Sequence, residues 1–126
     1  MVRTLYIATF TLLMGHQIDA AYWREWKMFH LPGGVQFYDV FNLAVVPLLL
    51  LGFQAVVLRR ASGYRYSLFA AALGLLTFAI HAGFLLCGFD QFTLPVSLAI
   101  VAGCGLSGLA QLIATLKVKA EFSGQP

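Results

Sequence analysis

Charge is what this sequence has least of. Only 10% of its 126 residues are Asp, Glu, Lys or Arg, against about a quarter in an ordinary soluble domain. A small soluble fold has too much surface to cover with so few charges, because the fraction of surface buried falls with size. With 60% hydrophobic residues and a mean hydropathy of +0.83, the medium facing this chain is lipid.

Other absences narrow the chemistry. Cysteine occurs twice, as Cys87 and Cys104, both in apolar stretches and without CxxC spacing. That excludes a disulfide scaffold or zinc finger and leaves two packing residues. There is no Gly-rich phosphate loop, no serine elbow and no HExxH run, so no catalytic residue is named. No internal repeat suggests the paired halves of a transporter, and no stretch is of low complexity. The net charge of +3 and pI near 9.1 do not point to nucleic acid, because the basic residues flank apolar runs instead of forming a face.

Four apolar stretches are present, at about residues 5–22, 35–58, 66–88 and 94–116. Each matches the ~20 helical residues needed to cross ~30 Å of hydrocarbon. Pro32, Gly33 and Gly34 end one element before the second stretch, and Thr93-Leu94-Pro95 reads as a helix start. The expected fold is therefore all-α: one domain over residues 1–126, an integral membrane four-helix transmembrane bundle. An external amphipathic link covers about residues 23–34, and the tail AEFSGQP reads as a frayed end.

Cations in short loops resist translocation and so set orientation. Arg3, Arg59, Arg60, Arg65, Lys117 and Lys119 fall on one side, and Arg24 and Lys27 on the other. Six against two places both termini in the cytoplasm, in a multi-pass protein of the inner (plasma) membrane. Arg3 followed by Leu5–Leu13 also resembles a secretory leader, but GHQIDAAYW lacks a small-x-small cleavage site, so the first helix is expected to be retained.

Ionisable side chains in hydrocarbon cost several kcal/mol each and usually turn inward. His16 stands six residues before the outer end of the first span, ~9 Å deep at 1.5 Å per residue. Asn42 lies about seven residues into the second span, and His81 about seven before the end of the third. Three polar side chains from three helices thus share one level. Asp19 shares a helix face with His16, and Asp39 one with Asn42. Thr9, Leu12, His16, Asp19, Ala20 and Trp23 form the inward stripe of the first helix. Ala70, Gly74, Thr77 and His81 in the third span, and Gly103, Cys104, Ser107 and Gly108 in the fourth, are small-residue stripes suited to close helix packing. Gln54 and Gln111 are candidates to bond each other near the inner ends.

In the link, Trp23, Trp26, Lys27 and Phe29 suit a membrane-interface anchor with Arg24 and Glu25 toward water. The other reading is a lid over the polar level, with Glu25 or His30 completing a site. The candidate polar site is then His16, Asp19, Glu25, Asp39, Asn42 and His81. It serves either as interhelical hydrogen bonding alone, or as a ligand set for haem or a divalent metal, with His16, Asp19 and His81 as metal candidates.

The run HQIDAAYWREWKMFHLPGG resembles the signature of small bacterial membrane proteins of the DUF6713 family. The matching positions are His16, Asp19, Ala20, Glu25, Trp26, Lys27 and Phe29, while Gln17 stands where the pattern has an acidic residue. The resemblance implies no reaction, but it makes His16, Asp19, Glu25 and Trp26 one unit. Three functions stay open: a non-enzymatic accessory or self-associating bundle, partnered by lipid, a second copy or another membrane protein; a haem- or metal-binding component using His16 and His81; and an oligomeric ion- or proton-coupled transporter.

Overall fold

The computed structural model describes residues 1–122 and, among them, is entirely helical. Four long helices dominate: α1 (Val2–Trp23), α3 (Gly34–Val57), α4 (Ala61–Leu86) and α5 (Pro95–Lys117). A one-turn helix, α2 (Glu25–Met28), lies in the first link, and a 3₁₀ turn (Lys119–Phe122) follows α5. Phe122 is buried against Tyr64, so the tail is tied down as far as that residue. The rest of the expected frayed end lies outside the described residues.

The helix bounds fall close to the apolar stretches. Helices α3, α4 and α5 are long and apolar enough to cross a membrane. Helix α1, expected as a fourth crossing, has a similar length but is not among them. Thr4, Thr9, Thr11, His16, Gln17 and Asp19 dilute its hydropathy, and two of these, Thr9 and His16, are buried.

The long helices run alternately up and down, and α5 packs against both α4 and α1. Small residues permit this. A Cβ on Gly74 would stand 2.7 Å from the Cys104 carbonyl oxygen, and one on Gly108 would stand 2.8 Å from that of Ala71. Close backbone approach of this kind supplies dispersion contact that lipid cannot. Between the same helices Ser67 Oγ and Thr115 Oγ1 lie 2.7 Å apart, and Gln111 Nε2 donates to the Ser67 carbonyl at 3.0 Å. Gln111 therefore bonds α4, whereas Gln54 is exposed, which corrects the expected Gln54–Gln111 pair.

Helix α3 is held differently along its length. Its buried residues, Leu49, Gly52, Ala55 and Val56, all lie in its second half. There the Tyr6 hydroxyl donates to the Leu49 carbonyl at 2.8 Å. The first half presents Val35, Val40 and Leu43 outward and leaves a gap beside α1 and α4.

Arg24 ends α1 and begins α2 in the left-handed conformation, φ 54° and ψ 51°. That corner reverses the chain and turns Glu25 inward. At the α5 start the cap is Leu94 with Pro95 in the first turn, and the Thr93 hydroxyl donates to the Asp90 carbonyl.

Two outcomes follow from these contacts. Gly74→Val should lower the unfolding free energy in mild detergent by ~1–3 kcal/mol through overpacking. Gly83→Val, where an added Cβ meets nothing within 4 Å, should cost far less; equal costs would show that the α4–α5 contact is not close-packed. At the corner, Arg24→Gly should leave stability unchanged or raise it by up to ~1 kcal/mol. Arg24→Val should lower it by about 1 kcal/mol or more, since a β-branched residue resists positive φ. Thermal unfolding monitored by circular dichroism reads both.

Candidate functional site

Four elements converge at the end of the bundle where α1 and α4 finish. His16 arrives from α1, four residues before Ala20 on the buried stripe, and His81 arrives from α4, seven residues after Gly74 on the small-residue face. The two are 3% and 5% exposed, and their rings meet edge to face with centroids 4.6 Å apart. Glu25, delivered by the Arg24 corner, reaches between them. Its Oε1 lies 3.0 Å from His81 Nε2 and its Oε2 lies 3.7 Å from His16 Nε2.

Burial alone would raise the Glu25 carboxyl. The His81 imidazole lies at hydrogen-bond distance, 3.0 Å, from the carboxylate, the His16 imidazole faces it at 3.7 Å, and together they hold its pKa down to about 2. The Glu25 carboxyl is thus held in its ionised form. One ligand atom from each of His16, Glu25 and His81 lies within 4.8 Å of the others. A tetrahedral ion with bonds near 2.0–2.2 Å wants its ligand atoms roughly 3.3 Å apart, so closing the set requires the most distant atoms to approach by up to about 1.5 Å.

Phe92, in the loop before α5, seals one side. It is buried in a left-handed conformation with φ 60°, and its ring centroid lies 4.2 Å from that of His81 and 5.5 Å from that of His16. Trp23 continues the aromatic layer 6.0 Å from Phe92, and its indole N–H donates to Ser97 Oγ at 3.4 Å. On the other side lies a cavity of about 360 Å³. His16, Glu25 and His81 stand at its polar end, and Trp26, Tyr38 and Phe41 are among its aromatic walls.

The sequence-derived set separates accordingly. His16, Glu25 and His81 come together. Glu25 faces inward, which corrects the water-facing placement and favours the lid reading of the link. His30 is exposed and takes no part in the three-residue group. Asn42 is spent on a bond within its own helix, Nδ2 to the Tyr38 carbonyl at 2.9 Å, and Asp39 is exposed. The expected level of His16, Asn42 and His81 thus reduces to the two histidines. Asp19 stands outside the group, with its Oδ2 buried and without a partner.

Among the expected anchors, three aromatics have ring partners, Trp23 on Phe92, Trp26 on Tyr38 and Phe29 on Phe84, although Phe29 stays exposed. Lys27 is exposed. Phe92 and Tyr38 were not visible from the sequence, because two aromatics in so short a stretch as GFDQFT or VQFYDV give no periodic signal that says which one turns inward. Tyr38 bonds Gln17 through its hydroxyl, joining α3 to α1 beside the cavity.

Buried polar atoms here exceed what the protein itself satisfies. The Nδ1 atoms of His16 and His81 lack hydrogen-bond partners, as does Oε1 of Gln91, the neighbour of Phe92. Thr9 Oγ1 and Gln111 Oε1, in the packed part of the helices, are unpartnered as well, so these atoms do not by themselves mark a site. The imidazoles meet edge to face with centroids only 4.6 Å apart, which leaves no slab between them for a porphyrin, so this ligand set suits a single ion and not haem.

Neither the curated proteins nor the solved structures contain a significant match to this chain. A family model does match, over residues 2–118 and so across all four long helices and the His16–Glu25–His81 group. The chain belongs to DUF6713, a family of unknown function.

Proposed function

We propose that this is a multi-pass membrane protein that binds one divalent transition metal between His16, Glu25 and His81. The observation that carries the reading is the convergence of two buried imidazoles and one carboxylate, from three separate helices, to within 4.8 Å. Two nitrogens and a carboxylate suit zinc or iron(II). A three-residue set of this kind leaves at least one coordination position open, as in sites where a metal acts on a bound molecule and unlike closed structural sites. The cavity beside the three residues supplies the space for it.

The membrane placement supports this use. Helix α1 lies alongside the apolar helices over its whole length, from Tyr6 on Leu49 through His16 on His81 to Trp23 on Ser97. We read it as a fourth crossing whose polar residues turn inward. The cation asymmetry then places Arg3, Arg59, Arg60, Arg65, Lys117 and Lys119 in the cytoplasm and the metal site at the outer end.

A purely structural role is the competing reading, because the 3.0 Å bond from His81 to Glu25 by itself ties α2 to α4. Metal binding separates the two. Chelator-stripped protein in detergent should take up about one equivalent of Zn(II) or Co(II) per chain, with a Co(II) absorption spectrum of low-coordinate type. His16→Ala, His81→Ala and Glu25→Gln should each weaken uptake by about 100-fold or more, at unchanged helical content. Uptake that persists in the His16→Ala/His81→Ala double variant would refute the site.

Topology is read by Cys87, which is exposed just beyond α4. A membrane-impermeant maleimide should label it in intact spheroplasts, and the Cys87→Ala variant should lose the label. Labelling only after permeabilisation would place the site inside.

A further inference from the structure

We infer that the open metal position is filled by the carboxylate of a single-chain amphiphile, whose apolar tail occupies the adjoining cavity and enters from the surrounding lipid between α3 and α4. This rests on the metal reading above and goes beyond it by naming the ligand class and its route.

The cavity has two unlike ends. At one stand His16, Glu25 and His81; the remainder is lined mainly by aliphatic and aromatic side chains, down to Leu13, Val45, Leu49 and Leu73. A ligand that satisfies both ends has a small oxygen-bearing head and an apolar body. At about 360 Å³ the space falls in the ~300–1,000 Å³ range of small-molecule sites. It is too small for a two-tailed lipid and suits one chain.

The route follows from which wall residues reach the surface. Phe37 and Phe41 of α3 are 44% and 42% exposed, and Leu76 of α4 is 55% exposed, although all three line the cavity. The seam between α3 and α1 is closed at this height by Tyr38 on Gln17, and Trp26 of the link stacks on Tyr38 above it. The cavity therefore reaches the outside through an apolar mouth between α3 and α4. That mouth lies on helices apolar enough to cross a membrane, so what faces it is acyl chain and not water. The first half of α3 contributes no buried residue, which keeps the mouth from being packed shut.

Charge selects the head. A divalent ion held by two neutral imidazoles and one carboxylate keeps one positive charge, and in a low-dielectric site a monoanionic oxygen donor neutralises it. A carboxylate meets that need. An ester of the same chain enters the same apolar space without neutralising anything.

The test uses full-length protein in nanodiscs, with Trp23→Phe leaving Trp26, a cavity wall residue, as the fluorophore. The probe is a dodecanoic acid brominated in its chain, which quenches indole on contact, and its methyl ester is the control for partitioning into lipid. Zn-loaded protein should be quenched saturably by the acid, with the ester at least about tenfold weaker and metal-stripped protein weaker by a similar factor. Leu76→Trp/Trp26→Phe, followed through its own indole, narrows the mouth at an exposed position. It should lower acid affinity about tenfold while zinc content per chain stays unchanged.

Zinc content is measured on every sample, so the two readings fail separately. Bound zinc with equal, non-saturating quenching by acid and ester would overturn the amphiphile while the metal site stands. Saturable acid binding that is indifferent to zinc would overturn coordination of the head. Protein that takes up no zinc at all would overturn the metal reading and this inference with it.

Discussion

A carboxylate taken out of water into an apolar helical bundle must be paired there, and Glu25 is paired with two imidazoles at once. Removing one partner of a buried charge pair typically costs ~3–5 kcal/mol, because the charge left behind has no compensation. That demand organises the end of the molecule where α1 and α4 finish. It sets the Arg24 corner, which is held in a backbone conformation arginine does not favour, and it folds the link back over the bundle. It also gives His16 and His81 a reason to face each other from different helices. An interhelical polar contact in a membrane is worth only about 0.6 kcal/mol on average, so pairing of the buried charge weighs more here than any one such contact.

The two ends of the bundle solve opposite problems. At the end near Leu49, Gly52 and Ala55, helices approach until a single added methyl would strike a neighbour: a Cβ on Gly63 would lie 2.7 Å from the Ala55 carbonyl oxygen. There the hydroxyls of Tyr6, Ser67 and Thr115 are absorbed in short hydrogen bonds, and the interior is full. At the other end α3 contributes no buried side chain before Leu49, large aromatic residues replace glycine, and a chamber remains beside the histidines. A tight end fixes the helix axes, and a loose end leaves room for a guest. Small residues in α4 and α5 and bulky ones in the first half of α3 are the two halves of one arrangement.

Much of this was legible before any coordinates. Scarce charge and four apolar runs gave the helical class and the helix positions to within a few residues, because hydrophobic length is a local property. The small-residue faces of α4 and α5 were readable from the 3.6-residue period, and so was part of the inward stripe of α1: Thr9, His16 and Ala20 are buried, but Leu13 stands there in place of Leu12, and Asp19 and Trp23 are only half-buried. The pairing of His16 with His81 was indicated by depth alone. Depth misled for Asn42, whose side chain is used within its own helix on the Tyr38 carbonyl, one turn deeper than the Tyr38–Gln17 contact.

Sequence alone determined the medium, the helices and which faces turn inward, since each of these is set by residues close together along the chain. Tertiary structure alone decided what meets what. It brought Glu25 inward through a left-handed corner that no pattern announces, laid Phe92 across both histidines from a loop eleven residues past the nearer one, and left α3 standing off to open the cavity. These depend on how four helices rotate and lean against one another, and that is settled by the sum of distant contacts and not by any one stretch of sequence.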